Sequence, residues 1–481
     1  MIILTLLKTP KKQYCGAHKI SFYGGGNTML QEIKASWALL LGIGFIMVGN
    51  GLQGTLLGVR ASIEGFEVLT TGVVMSFYFS GMLLGSIMTP KLVSRVGHIR
   101  VFAALASTAS IAILLHSVYV NPYTWSLMRL VTGICFSGLF VVTESWLNDR
   151  ASNENRGAIL SVYMVVVTLG MGSGQFLLNV ADPASTDLFI LISIIISFAL
   201  VPILLTARPA PAFDQAESMS LFALYKVSPL AVISNALTGT AHGTAFGLGA
   251  VYGLQKGFDN SLVALFMASF LWGGFLLQWP IGRLSDKFGR RGVMLINALV
   301  AVVLCLLASV WDTTSSSYIP LIVFVGGAVM PMYSLCIAYA SDRLSPKQIV
   351  SASGAMVMAS GIGLSVGPIL VAFAMSSFGP DVYFIGIAIA FVAIALAVLN
   401  SMRYREVTSA DVEDQSPMLT AGVIGTPIAA FTAPDAQDYA VALEDDELVQ
   451  LDDSVEWAQV PMAGPEITLP DADVSSEEDH Y

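Results

Sequence analysis

Three ionisable residues sit where a chain this apolar should not tolerate them. Arg129 and Glu144 fall in the apolar stretch 125–147, and His242 falls in the stretch 228–254. An ionisable side chain inside a membrane-length apolar stretch is expensive, so it marks a paired group or a working one. Glu144 could latch to a nearby cation such as Arg95 or Arg100, or carry a proton. His242 could carry a proton near neutral pH, or be a hydrogen-bonded packing residue. Arg129, about one turn inside its stretch, could hold an anion or snorkel to the interface. A second kind of chemistry is concentrated in Gly282-Arg-Leu-Ser-Asp-Lys-Phe-Gly-Arg-Arg291, ten residues with five charges between two apolar stretches. There Asp286 can pair with a neighbouring arginine or accept at a helix start. Gly282 lets helix backbones approach, and Gly289 permits a positive φ where the chain reverses.

The elements that must hold these residues are membrane spans. The chain is 55% hydrophobic and 12% charged, with a mean hydropathy of +0.72, whereas soluble domains average about 25% charged residues. About 20 apolar residues cross a bilayer as a helix, and such stretches occur twelve times. Six lie in 36–205 and six in 228–402, separated by a polar central loop at 206–227. The fold class is therefore an all-α membrane protein of twelve transmembrane helices in two six-helix bundles. Twenty of the 23 cations fall in links on one side of the membrane, and only Arg60 and Lys256 on the other. This bias puts both termini and the Gly282–Arg291 turn in the cytoplasm. The expected location is the cytoplasmic (inner) membrane, as a multi-pass protein.

The halves repeat. Asn148-Asp149-Arg150 and Ser341-Asp342-Arg343 end the fourth and tenth spans at an offset of 193, and Gly97 and Gly289 lie 192 apart. At this offset Leu169-Gly-Met-Gly-Ser-Gly174 aligns with Ile362-Gly-Leu-Ser-Val-Gly367. Two halves so related imply a pseudo-two-fold axis along the membrane normal, with a substrate path between them.

The ends differ from the body. Residues 1–35 are an N-terminal extension too short in its apolar run to be a signal peptide. The Gly24-Gly-Gly26 codons would be G-rich just upstream of Met29, which makes Met29 the expected start. From Glu406 onward there are nineteen Asp and Glu and no Lys or Arg, and the rest of the chain carries a net +8. The tail 403–481 is expected to be disordered, and its stretch 439–460 reads either as a solvated linker or as a short helix that binds a cytoplasmic partner. Neither part has the footprint of nucleic-acid binding. Four dispersed cysteines (Cys15, Cys135, Cys305, Cys336) give no metal or disulfide spacing. Gly49-Asn-Gly-Leu-Gln-Gly54 fits a dinucleotide fingerprint but lies within a span rather than after a strand. No catalytic constellation, cofactor or metal is expected.

The basic turn, Phe140-Val-Val-Thr-Glu-Ser-Trp146, Asn155-Arg-Gly157 and Gln278-Trp-Pro-Ile-Gly-Arg283 together resemble the major facilitator superfamily of transporters, in its YcaD-type bacterial branch, over about 39–399. The resemblance implies secondary transport of a small solute by alternating access, with proton coupling. A transporter-like sensor signalling through the acidic tail is the alternative. It also implies that Gly282, Asp286, Gly289, Arg290 and Arg291 form a gating turn, with Arg95 and Gly97 as its first-half copy. That copy departs from the pattern, with Ser94 in place of the aspartate and Pro90 in place of the first glycine. Arg129 and Gly133 resemble the family's Arg-x-x-x-Gly, where the arginine serves coupling or anion binding. The Gly-rich run of the fifth span ends in Gln175 rather than proline, which weakens a drug/proton antiport reading. Spans one, four, seven and ten are implied to line the cavity, which makes Asn50, Gln53, Asn235, Thr238, His242, Tyr333 and Ser334 the candidate cavity residues.

Overall fold

Hydrocarbon offers no partner to backbone N–H and C=O groups, so a chain of this composition must satisfy them within helices. In the computed structural model, residues 36–150, 156–205, 219–344 and 346–403 are described, and among them there is no strand. The expectations for residues 1–35 and 404–481, including the start at Met29 and the acidic tail, lie outside the described residues.

Twelve long helices carry the fold. They are α1 (Trp37–Ile63), α2 (Val68–Val96), α3 (His98–Val118), α4 (Pro122–Arg150), α5 (Arg156–Gly174), α6 (Asp187–Leu204), α7 (Pro229–Gln255), α8 (Asn260–Phe288), α9 (Arg290–Val310), α10 (Tyr318–Ser341), α11 (Pro346–Phe378) and α12 (Val382–Arg403). Eleven have both the length and the hydropathy to cross a membrane. The exception, α7, is 27 residues long, and nineteen of them are buried. It touches α1, α2, α8, α10, α11 and α12. A helix surrounded by protein can give up apolar side chains for Gly, Ala, Ser and Thr, which let neighbours come close.

The sequence repeat is built as matched backbone approaches. In the first half α2 lies on α4, because a Cβ on Gly81 would stand 2.1 Å from the Leu130 carbonyl oxygen, and one on Gly133 would stand 2.0 Å from that of Tyr78. The second half repeats this between α8 and α10, with Gly273 against the Val323 oxygen and Gly326 against that of Phe270, each 2.0 Å. The pair α1–α5 (Gly51 on Met171, Gly174 on Val48) recurs as α7–α11 (Gly243 on Leu364, Gly367 on Thr240). Outer pairs match too: α3 packs on α6 as α9 packs on α12.

Between halves, α2 meets α11, α1 meets α7 and α5 meets α8. The tight contacts lie toward the end away from the basic turns. Gly72 faces Ala372 and the Pro368 carbonyl, Gly58 faces Ala250, and Gly172 faces the Trp272 indole. Ser261 donates to Asn179 at 3.0 Å there.

Two local features differ from the sequence reading. The Gly282–Arg291 stretch is not a ten-residue turn: α8 continues through Phe288, Gly289 alone reverses at φ 86°, and α9 begins at Arg290. The helix persists because Arg, Leu and Lys are good helix formers, and the Asp286–Arg290 pair spans the reversal. The end of the central loop is also structured, as a short helix Leu221–Val227 capped by Ser220 Oγ, which accepts from the Ala223 N–H at 3.2 Å.

Candidate functional site

Gly133 builds the core of the site. Its missing Cβ brings α2 onto α4 at Tyr78, and the Arg129 guanidinium then lies 4.1 Å from the centre of the Tyr78 ring. The Tyr78 hydroxyl donates to Asn50 Oδ1 on α1 at 3.0 Å. Thr55, farther along α1, donates to Gln175 Oε1, and Gln175 Nε2 donates to the Met171 oxygen at 3.3 Å. At Gln175, α5 tightens into a 3-10 turn, Gln175–Asn179. These side chains line a cavity of about 70 Å³. Met82 and Phe79 close it on the first-half side, and Phe246, Met267 and Leu364 close it from the second half.

Arg129 is 3% exposed, and its Nε and Nη1 have no acceptor. Among the described residues no carboxylate forms an ion pair with it. Snorkelling to the interface is therefore corrected: the side chain runs inward over Tyr78, because the Gly133 contact puts that ring within its reach. Gln53, one turn on from Asn50, is buried with both amide atoms unpartnered.

Glu144 lies deeper along α4 and is 0% exposed. Tyr163 of α5 donates to its Oε1 at 3.0 Å, and Tyr333 of α10 is within its electrostatic reach from the other half. The expected pairing with Arg95 or Arg100 is not formed; both arginines are exposed. They sit in the last turn of α2 and the first turn of α3, whereas Glu144 faces α5.

The second-half candidates serve mostly as braces. Pro331 interrupts α10, leaving segments Tyr318–Val329 and Met332–Ser341. Two carbonyls at the break are taken up from outside: His242 Nε2 donates to the Val329 oxygen at 3.1 Å, and Asn297 Nδ2 donates to the Ala328 oxygen at 2.8 Å. Asn235 Nδ2 donates to the Met356 oxygen at 2.7 Å, tying α7 to α11. Thr238 bonds within its own helix, to the Ser234 oxygen at 2.7 Å. Ser334 accepts from Gln278 Nε2 at 3.4 Å. Of the polar and charged residues expected from the sequence, Asn50 and Arg129 meet at the cavity, whereas Gln53, Asn235, Thr238, His242, Tyr333 and Ser334 are not in its lining. Tyr78, Thr55, Gln175 and Phe246 are among the cavity residues that sequence reasoning missed. The Arg129/Gly133 spacing was the available signal for Tyr78, since a glycine one turn from the arginine makes room for a facing ring.

At the basic end Arg290 bridges two carboxylates, Asp286 at 2.8 Å and Asp342 of the α10 terminus at 2.7 Å. Arg291 Nε donates to the Tyr339 hydroxyl at 3.1 Å, and its Nη1 donates to the Ser401 oxygen at 3.3 Å. Arg343 stacks on the Tyr339 ring at 3.7 Å. Gly282 lies within α8. In the first half Gly97 reverses at φ 85°, but the position after it is His98, which meets Ser145 Oγ at 3.1 Å. The two turns therefore share a backbone and differ in chemistry. Among the described residues there is no group of three or more His, Cys, Asp or Glu side chains able to hold a metal.

Comparison with known proteins agrees with this architecture. The family model described as Major Facilitator Superfamily matches residues 39–268 and 230–433. The MFS-type transporter YcaD of Escherichia fergusonii is 26% identical over 366 residues, spanning 76% of this chain and 95% of the relative. YcaD of Escherichia coli strain SE11 is 28% identical over 371 residues, with the same coverage of 76% and 95%. Among solved structures, the nucleoside transporter NupG superposes with a TM-score of 0.66 at 16% identity, covering 79% of this chain and all of its own. A bacterial homologue of the human lysosomal transporter Spinster, inward-facing and unoccupied, gives a TM-score of 0.62 at 14% identity, covering 77% and 95%. With the repeat, the basic turns and the inter-half cavity in place, the chain belongs to the Major Facilitator Superfamily and is an integral multi-pass membrane protein of transporter type.

Proposed function

We propose that this protein is a secondary active transporter that moves a small solute by alternating access, driven by protons, in the inner membrane with both termini cytoplasmic. The observation that carries the reading is the cavity between the halves, lined by Asn50, Tyr78 and Arg129 on one side and Phe246, Met267 and Leu364 on the other. A site formed jointly by two rocking halves binds and releases its solute as they move, without a chemical step. Proton coupling is supported by Glu144, a buried carboxylate held by Tyr163 and within electrostatic reach of Tyr333 of the other half. Protonation there removes a charge at the inter-half boundary, which is a means of biasing one arrangement over the other.

The test is a solute-dependent thermal-shift screen of the purified chain, followed by flux of the stabilising solutes into liposomes under an imposed pH gradient. Flux that follows the gradient supports the proposal. A solute that binds but never crosses, with or without the gradient, overturns it in favour of a sensor acting through the acidic tail.

A further inference from the structure

We propose that the solute is a small organic anion, with one charged head held by Arg129 and an apolar body lying against the second half. The inference rests on the transport reading and adds the chemical class that its site takes. Arg129 is buried, carries a full charge, and is matched by no carboxylate among the described residues. Removing one member of a buried ion pair leaves a large uncompensated cost, and an unmatched buried cation has that same cost standing. The ring face that its guanidinium meets is that of Tyr78, with 4.1 Å to the ring centre. A ring face attracts the cation but accepts little from its N–H groups, so the planar donor fork stays open. Nε and Nη1 have no acceptor, and the residue lines the cavity.

A carboxylate, like a phosphate, matches a guanidinium fork with two parallel hydrogen bonds. Charge sets the count. One monoanion neutralises one arginine, whereas a dianion would leave a net negative charge in a buried site. The neighbours Asn50 and Thr55 offer dipoles rather than a second cation. The opposite wall is apolar, formed by Phe246, Met267 and Leu364, and it suits a hydrocarbon or aromatic body rather than a polyol.

The experiment uses the full chain in detergent with benzoate, phenylacetate and hexanoate, each against its neutral primary amide, and inorganic phosphate. At least one acid is expected to raise the melting temperature while its amide does not. Arg129→Gln should weaken that acid's half-saturation by about 100-fold, the scale for losing one partner of a buried charge pair, and Arg129→Lys should restore part of it. Should the arginine variants fail to fold, Met82→Cys keeps Arg129 intact. Its labelling by a neutral maleimide, read on the peptide carrying position 82, should be slowed by the acid and not by the amide. The inference is overturned if no acid outperforms its amide, if phosphate alone stabilises, or if Arg129→Gln binds as the parent does. Binding by acids without flux would remove the transport reading and leave this one standing. Flux of neutral solutes alone would do the reverse.

Discussion

Glu144 and His242 are both buried and ionisable, yet their surroundings assign them different work. Glu144 has a phenol donor on one side and the other half of the molecule close by. Glu144→Gln keeps the shape and a hydrogen bond to Tyr163 while removing the titratable proton. Gradient-driven uptake into liposomes should fall by about 100-fold or more in this variant, within the range for losing a positioned proton-transfer group. Counterflow of solute, which needs no net proton movement, should persist. Loss of both would mean a structural role. His242 is occupied by the α10 break, donating to a carbonyl that has lost its helical partner. The pH profile of flux should therefore be the same in His242→Gln, which can still donate, as in the parent. Asn297→Ala removes the companion brace, and the orphaned Ala328 carbonyl should cost about 1–3 kcal/mol, measured by thermal or denaturant unfolding in detergent.

The helices make contact where side chains are absent, and this makes α2–α11 a sensitive seam. A Cβ on Gly72 would fall 2.4 Å from the Ala372 Cβ and 2.8 Å from the Pro368 oxygen. Neither a Cβ fixed to its helix nor a backbone carbonyl can yield, so the halves themselves must separate. Gly72→Leu is expected to hold this end open, seen as faster maleimide labelling of a cysteine placed at Ser261 than in the same background with Gly72 intact. Unchanged labelling would mean that the seam is not a gate. The broken α10 makes a related point. Pro331 interrupts the helix ladder, and α7 and α9 donate to the Val329 and Ala328 carbonyls beside the break, so the interruption is a supported part of the bundle.

Taken whole, the molecule is symmetric in backbone and asymmetric in charge. The same glycine reverses the chain in both halves, at φ 85° and 86°. In the second half the turn is closed by a cation between two carboxylates, Asp286 and Asp342, whereas the first half has Ser94 where Asp286 stands and His98 where Arg290 stands. Such partly exposed pairs stabilise weakly, by about 0–1 kcal/mol. Asp342→Asn should therefore leave the unfolding temperature nearly unchanged and act on the distribution between open and closed arrangements, read as a change in solute half-saturation. Truncation after Arg405 separates the two functional readings at this level: a transporter keeps its flux, and a sensor relying on the tail loses its output.

Much of this could be read from the chain alone, because hydrocarbon leaves few options. Apolar runs of membrane length had to be helices, and the distribution of Lys and Arg set an orientation to expect. The 192–193 residue offset between Gly97/Gly289 and Asp149/Asp342 announced two halves. What remained undetermined were relations between helices distant in sequence. Arg129 had an interfacial alternative until the approach at Gly133 put Tyr78 under it. Glu144 had arginines within reach on the neighbouring spans but faces Tyr163, because its helix turns that side toward α5. The sequence offered His242 as a proton carrier or a hydrogen-bonded packing residue, and only the break in α10 shows which carbonyl its Nε2 meets. Periodicity and composition report the solvent a segment meets, whereas a buried polar group's role depends on which single atom of another helix stands opposite it, and only packing decides that.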